Sequence, residues 1–115
     1  MAKNLLNRRF STPFALQKLV TDVTEFKCLN DKKLYLNPIY DLYNGEIITF
    51  GISERPTMDL ALYPLLDAIE IVKQNGTVRT TLLSDQGWHY QHKKWRQLLK
   101  ENKIFQSMSR KATCF

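Results

Sequence analysis

The chain has 115 residues, 43% apolar and 24% charged, with a formal net charge of +6. That composition fits one globular domain, large enough to bury a core without help from disulfides or zinc. Four Gly and four Pro exclude a collagen-like or linker-dominated chain. No run approaches the roughly 18 apolar residues of a membrane span. MAKNLLNRRF lacks a secretory h-region, so a cytoplasmic protein with two reduced cysteines, Cys28 and Cys114, is expected.

The placement of charge says more than its total. Residues 1–21 hold Lys3, Arg8, Arg9 and Lys18 and no acid. Residues 22–85 hold ten acids against six bases, and residues 86–115 hold seven bases against Glu101 alone. Two basic flanks therefore bracket an acidic middle. Basic flanks suit a polyanionic partner. An acidic middle suits either a cation site or a solvated face. His89 and His92 have no close cysteine pair beside them, which argues against zinc.

Residues 1–17, with Ser11-Thr12-Pro13, read as a basic leader or linker, and 18–115 as the folded core. Leu19–Phe26 alternates apolar and polar residues and predicts a strand. Leu34–Leu42 predicts a second, in which Pro38 calls for an edge position or a bulge. Asn44-Gly45 is a hairpin signal leading into a third strand, Ile47–Ser53. From Leu60 to Val72 the apolar spacing becomes helical, and Asn75-Gly76 closes the helix. Pro64 requires that helix either to start near Tyr63 or to bend. Val78–Leu83 predicts a strand, 91–102 a helix with Trp95, Leu98 and Leu99 inward, and Ile104–Met108 a last strand. The order is β-β-β-α-β-α-β: a three-stranded antiparallel meander followed by parallel crossovers. It is the order of the ribonuclease H-like α/β fold, and order alone does not fix function.

Two acids stand out. Asp22 lies in the middle of the first predicted strand, and Asp85 directly follows the apolar strand ending at Leu83. The end of a parallel strand is where α/β sheets build sites. If the two strands are neighbours the carboxylates approach, and adjacent carboxylates favour a hard cation such as Mg²⁺ or Mn²⁺. Gly87 permits a tight turn beside them. The plainer readings are an exposed Asp22 on a wet face and a Ser84-Asp85 helix cap.

At these residues the sequence resembles a known family. Thr21-Asp22-Val23-Thr24-Glu25-Phe26 is similar to the first catalytic motif of bacterial insertion-sequence transposases with a retroviral-integrase-like core. Leu83-Ser84-Asp85-Gln86-Gly87-Trp88-His89-Tyr90 is similar to their second motif, Ser-Asp-x-Gly-x-x-Tyr. Ser107–Lys111 resembles the block before the third motif, and Leu5–Phe10 the segment leading into the core. The likeness is greatest to the family named after insertion sequence three.

The resemblance implies a DDE recombinase, in which two Asp and one Glu hold two divalent ions, Mg²⁺ or Mn²⁺. Asp22 would bridge both ions and Asp85 bind one. The reaction would be DNA strand cleavage and transfer at a phosphodiester, with no covalent protein–DNA intermediate. The family's third acid follows the second Asp after about 35 residues, on a final helix, which puts it beyond Phe115. The expectation is a core short of that helix and nearly inactive alone. Its partners would be DNA (transposon ends and target), with a homo-oligomer compatible and no membrane, in a bacterial, nucleoid-associated setting.

Lys93, Arg96 and Lys100 share one face of the predicted helix. With Lys94, Arg110 and Lys111, the resemblance makes them DNA contacts; the plain alternative is a solvated face. His89 and Thr24 are further near-site candidates, and Trp88 either stacks on a base or packs at a helix start. Two other functions compete: a ribonuclease H-like nuclease, and a non-catalytic DNA-binding or dimerising remnant.

Overall fold

The computed structural model describes residues 14–75 and 79–109. The strands are β1 (Lys18–Thr21), β2 (Thr24–Lys27), β3 (Lys33–Asp41), β4 (Glu46–Ser53), β5 (Thr81–Ser84) and β6 (Phe105–Met108). The helices are α1 (Met58–Asn75), α2 (Trp88–Gln91) and α3 (Lys93–Glu101). The first predicted strand is thus two, interrupted at Asp22-Val23. Both halves keep one antiparallel register on β3: Thr21 faces Ile39 and Thr24 faces Leu36. The interruption therefore lies opposite Asn37 and Pro38, and Pro38 has no N–H to give to a ladder.

Pro38 does not mark an edge. β3 is interior, with β1 and β2 end to end along one side and β4 along the other. The bulge half of the expectation holds: the β3–β4 register slips between Ile39 and Tyr40, leaving Ile48 as the extra residue. The hairpin turn is as predicted. Gly45 takes φ 71°, its N–H donates to the Asp41 carbonyl (2.7 Å), and the Asn44 side chain accepts from the Glu46 N–H.

β5 lies parallel to β1, and β6 parallel to β5. These are the two crossovers the element order predicts. The helices cover one face of the sheet. Leu19, Ile39 and Leu82 form a buried core there with Ala61, Leu65 and Ile69 of α1, Tyr90 of α2, and Trp95 and Leu99 of α3. Chain entry is tied into the same core: Leu16 is buried, its N–H donates to Asp41, and its carbonyl accepts from the Thr80 hydroxyl.

Pro64 neither starts nor ends α1; it sits inside the helix. It removes the donor that the Leu60 carbonyl would use. The buried Asn37 amide supplies a replacement, donating to that carbonyl at 3.4 Å. The Thr49 hydroxyl donates to the Pro64 carbonyl at 2.9 Å. Opposite them, Gly51 leaves room for close approach: a Cβ there would lie 2.7 Å from the Leu60 oxygen and 2.8 Å from Pro64 Cγ. The second predicted helix also departs from expectation. It breaks at His92, whose extended backbone separates α2 from α3 and whose side chain caps α3 by accepting from the Lys94 N–H.

Gly51→Ala is expected to force α1 off β4 and lower stability by about 1–3 kcal/mol. Thermal melts of the two proteins check this; an unchanged midpoint would show that α1 shifts freely.

Candidate metal centre

Parallel pairing places the two aspartates. Leu19 faces Leu82 and Val20 faces Leu83. Continued by two residues, the same register sets Asp22 opposite Asp85. Asp22 is therefore at the end of β1, in the strand interruption, rather than in mid-strand. Asp22 and Asp85 directly follow the last residues of β1 and β5, and their carboxyls are close enough to share a hydrogen bond.

Both aspartates are half-exposed. Burial and the neighbouring Asp85 push the Asp22 carboxyl from 3.8 up to about 6. Partial burial contributes most, followed by the Asp85 charge and a hydrogen bond with Asp85; the Val23 backbone pulls the other way. The Tyr40 hydroxyl is also raised, first by burial and then by the charge of Asp22. Asp85 is held by the Gly87 N–H, which donates to its Oδ1 at 2.8 Å. Gly87 has ordinary φ, so its value here is space: a Cβ would lie 3.0 Å from that oxygen.

Behind the pair lies a network the sequence reading did not find. Asn37 Oδ1 accepts from the Thr21 hydroxyl (2.9 Å) and from the Tyr90 hydroxyl (2.7 Å), all three residues being buried. Thr21 precedes Asp22, and Tyr90 sits one turn beyond Asp85. Burial raises the Tyr90 pKa further, with the charges of Asp22 and Asp85 adding to it and the Thr21 hydrogen bond opposing it. The only sequence hint was a polar residue at Asn37 within an apolar strand.

The remaining candidates separate. Thr24 is exposed on β2. His89 is buried, with its Nε2–H on the Pro56 carbonyl (2.9 Å) and its ring stacked on Trp88 (3.7 Å between centroids). His89 is thus engaged in packing, with its Nε2 held by the Pro56 carbonyl. Trp88 is about half exposed beside it. Lys93, Lys94, Arg96 and Lys100 are all exposed on α3. Lys93, Arg96 and Lys100 line one groove with Arg79 and Lys103, and Lys94 is outside it. Arg110, Lys111 and the Leu5–Phe10 segment lie outside the described residues. No third Asp, Glu, His or Cys joins the carboxylate pair among the described residues.

A meander with two parallel crossovers, with two carboxylates brought together at the strand ends, defines a ribonuclease H-like fold. The integrase core domain matches residues 14–114, and the chain belongs to that transposase and integrase family. Transposase InsK for insertion sequence element IS150 of Escherichia coli (strain K12) is 45% identical over 98% of the chain. A transposase-like protein of Haemophilus influenzae is 42% identical over 99% of it. The chain spans 39% and 51% of the lengths of those relatives. The HTLV-2 integrase catalytic core domain in complex with magnesium, in dimeric form, superposes with a TM-score of 0.66 at 16% identity. It covers 84% of this chain and 62% of that one. A simian T-cell lymphotropic virus intasome chain gives a TM-score of 0.68 at 17% identity, over 85% of this chain and 33% of that one. At those identities the likeness establishes the fold. No helix among the described residues is long and apolar enough to cross a membrane.

Asp22 binds its proton more tightly in the folded state, so its ionisation destabilises the protein as pH rises from 3.8 to about 6. Asp22→Asn should therefore melt about 3–8 °C higher than the parent at pH 7 without metal. The gain should vanish below about pH 4. Identical melting curves at both pH values would refute the raised Asp22 pKa.

Proposed function

We propose that the chain forms the central part of a transposase catalytic core, with Asp22 and Asp85 as ligands for divalent metal, Mg²⁺ or Mn²⁺. The observation that carries this reading is the register that sets the two carboxylates side by side at the ends of adjacent parallel strands. Their chemistry fits a hard cation: oxygen donors only, half-exposed, and mutually repelling until a positive charge lies between them. When bound, the metal supplies Lewis acidity that activates a water or a DNA 3′-hydroxyl and stabilises the departing oxygen. The protein's own part is positioning. The Gly87 N–H orients Asp85, while Asn37 locks β1 to β3 through Thr21 and gathers in Tyr90. Lys93, Lys94, Arg96 and Lys100, with Arg110 and Lys111, supply the positive surface for DNA phosphates. Two converging carboxylates hold metal weakly. Strand transfer by these 115 residues alone is accordingly expected to be slight.

Millimolar Mg²⁺ or Mn²⁺ is expected to raise the melting temperature at pH 7.5, by the usual mass-action relation. The rise should disappear in Asp22→Asn and Asp85→Asn. It should also fade as pH falls below about 6, where a proton competes for Asp22. A metal shift that survives both substitutions would remove the ligand assignment.

Any cleavage measured with Mn²⁺ should favour duplex DNA over an RNA–DNA hybrid and be lost in both aspartate variants. Preference for the hybrid would instead identify a ribonuclease H-like nuclease. Vigorous strand transfer by this polypeptide would contradict the expectation of a weakly active core.

A further inference from the structure

The groove beside α3 carries charge that the carboxylate site does not use. It has a volume of about 770 Å³ and is lined by Arg79, Lys93, Arg96, Lys100 and Lys103, with no acid among its lining residues. Within the described residues none of these five cations forms an ion pair; the pairs present are Lys32–Glu54 and Lys33–Glu25. Two of the five, Arg79 and Lys103, come from outside the helix that the sequence pattern singled out. Tertiary structure adds them to the α3 row.

The groove has a direction. A tight turn after α3 sends the chain back into β6, with the Ile104 N–H on the Leu99 carbonyl. α3 and β6 therefore run antiparallel along the sheet edge. β6 pairs Met108 with Ser84 and Phe105 with Thr81. Lys93 thus lies toward the end of the sheet that holds Asp85, and Lys100, Lys103 and Arg79 toward the opposite end. From Arg79 to Asp85 the extended chain covers roughly 20 Å. That is about six base pairs of duplex at 3.4 Å per step. Lys93 to Lys100 spans about 10 Å of helix, the axial length of about three phosphates on one strand.

We propose that this groove is a phosphate-backbone track for DNA that flanks the reacting phosphodiester. The DNA would enter beside the carboxylates at Lys93 and leave past Lys103 and Arg79. The proposal rests on the transposase reading above and adds a path that needs no metal. An acidic protein partner fits less well. The exposed aromatic in the groove, Phe105, has the Arg79 guanidinium 3.8 Å above its ring, so one of its faces presents a cation. A phosphate chain needs only the row of cations.

The test is duplex binding in EDTA by the 115-residue protein, followed across a salt series. It compares the parent with Arg79→Gln, Lys103→Gln and the double variant, using Lys27→Gln, an exposed cation on β2 outside the groove, as comparator. Each groove substitution should flatten the salt slope by about 0.9, and the double variant should bind roughly tenfold more weakly at 0.1 M salt. Lys27→Gln should change little. Melting temperatures within a degree or two of the parent show that the fold is kept; if a Gln variant melts lower, Arg79→Lys and Lys103→Arg should restore both slope and affinity. An unchanged slope in the double variant overturns the track. So does tighter binding of poly-glutamate than of duplex, which would indicate an acidic protein partner. Metal is absent throughout, so the binding read here does not depend on a cation at the carboxylate site. Absence of a metal-induced melting shift in the parent protein would count against the carboxylate reading and leave this result standing.

Discussion

The fold depends on one buried amide. Asn37 is fully enclosed, and its side chain serves β1, α1 and α2 at once. A buried amide left without partners costs far more than its hydrogen bonds return in water. The Asn37 side chain is therefore satisfied only when all three elements are in place. Pro64 belongs to the same arrangement. By removing a helical donor it leaves the Leu60 carbonyl free, and Asn37 fills that gap. A residue that normally weakens a helix thereby helps fix where this one docks, with Gly51 giving the clearance.

That constraint bears directly on the carboxylates. Thr21, held by Asn37, is the last residue of β1 before Asp22. Tyr90, held by the same oxygen, follows Asp85 in α2. The network thus grips the last residue of β1 and the helical residue that follows Asp85, next to the two aspartates. Rigid positioning is what lets two like charges remain close: partial burial and then the Asp85 charge raise the Asp22 pKa while the strands stay paired. A cation between them would relieve that repulsion.

Charge is segregated by the same architecture. The acids of the site stand at the ends of β1 and β5, and the cations line the edge formed by α3 and β6. The net charge of +6 conceals this division. A DNA backbone would meet the two surfaces at different points along its length, one for reaction and one for grip.

Hydrophobic periodicity and the Asn44-Gly45 turn signal by themselves determined the meander, its hairpin, the two parallel crossovers and the inward residues Trp95 and Leu99, because these follow from local chain geometry. Asp22 and Asp85 were also legible, since charged residues at the ends of apolar strands are conspicuous. Tertiary structure alone decided the rest. The break at Asp22-Val23 depends on what lies opposite in β3. Pro64 is tolerated because a donor arrives from another element. His89 packs against Pro56, a distant partner that no local pattern reveals. Arg79 and Lys103 join the α3 cations only when β5 and β6 pair. In each case the deciding interaction links residues far apart in sequence, where periodicity carries no information.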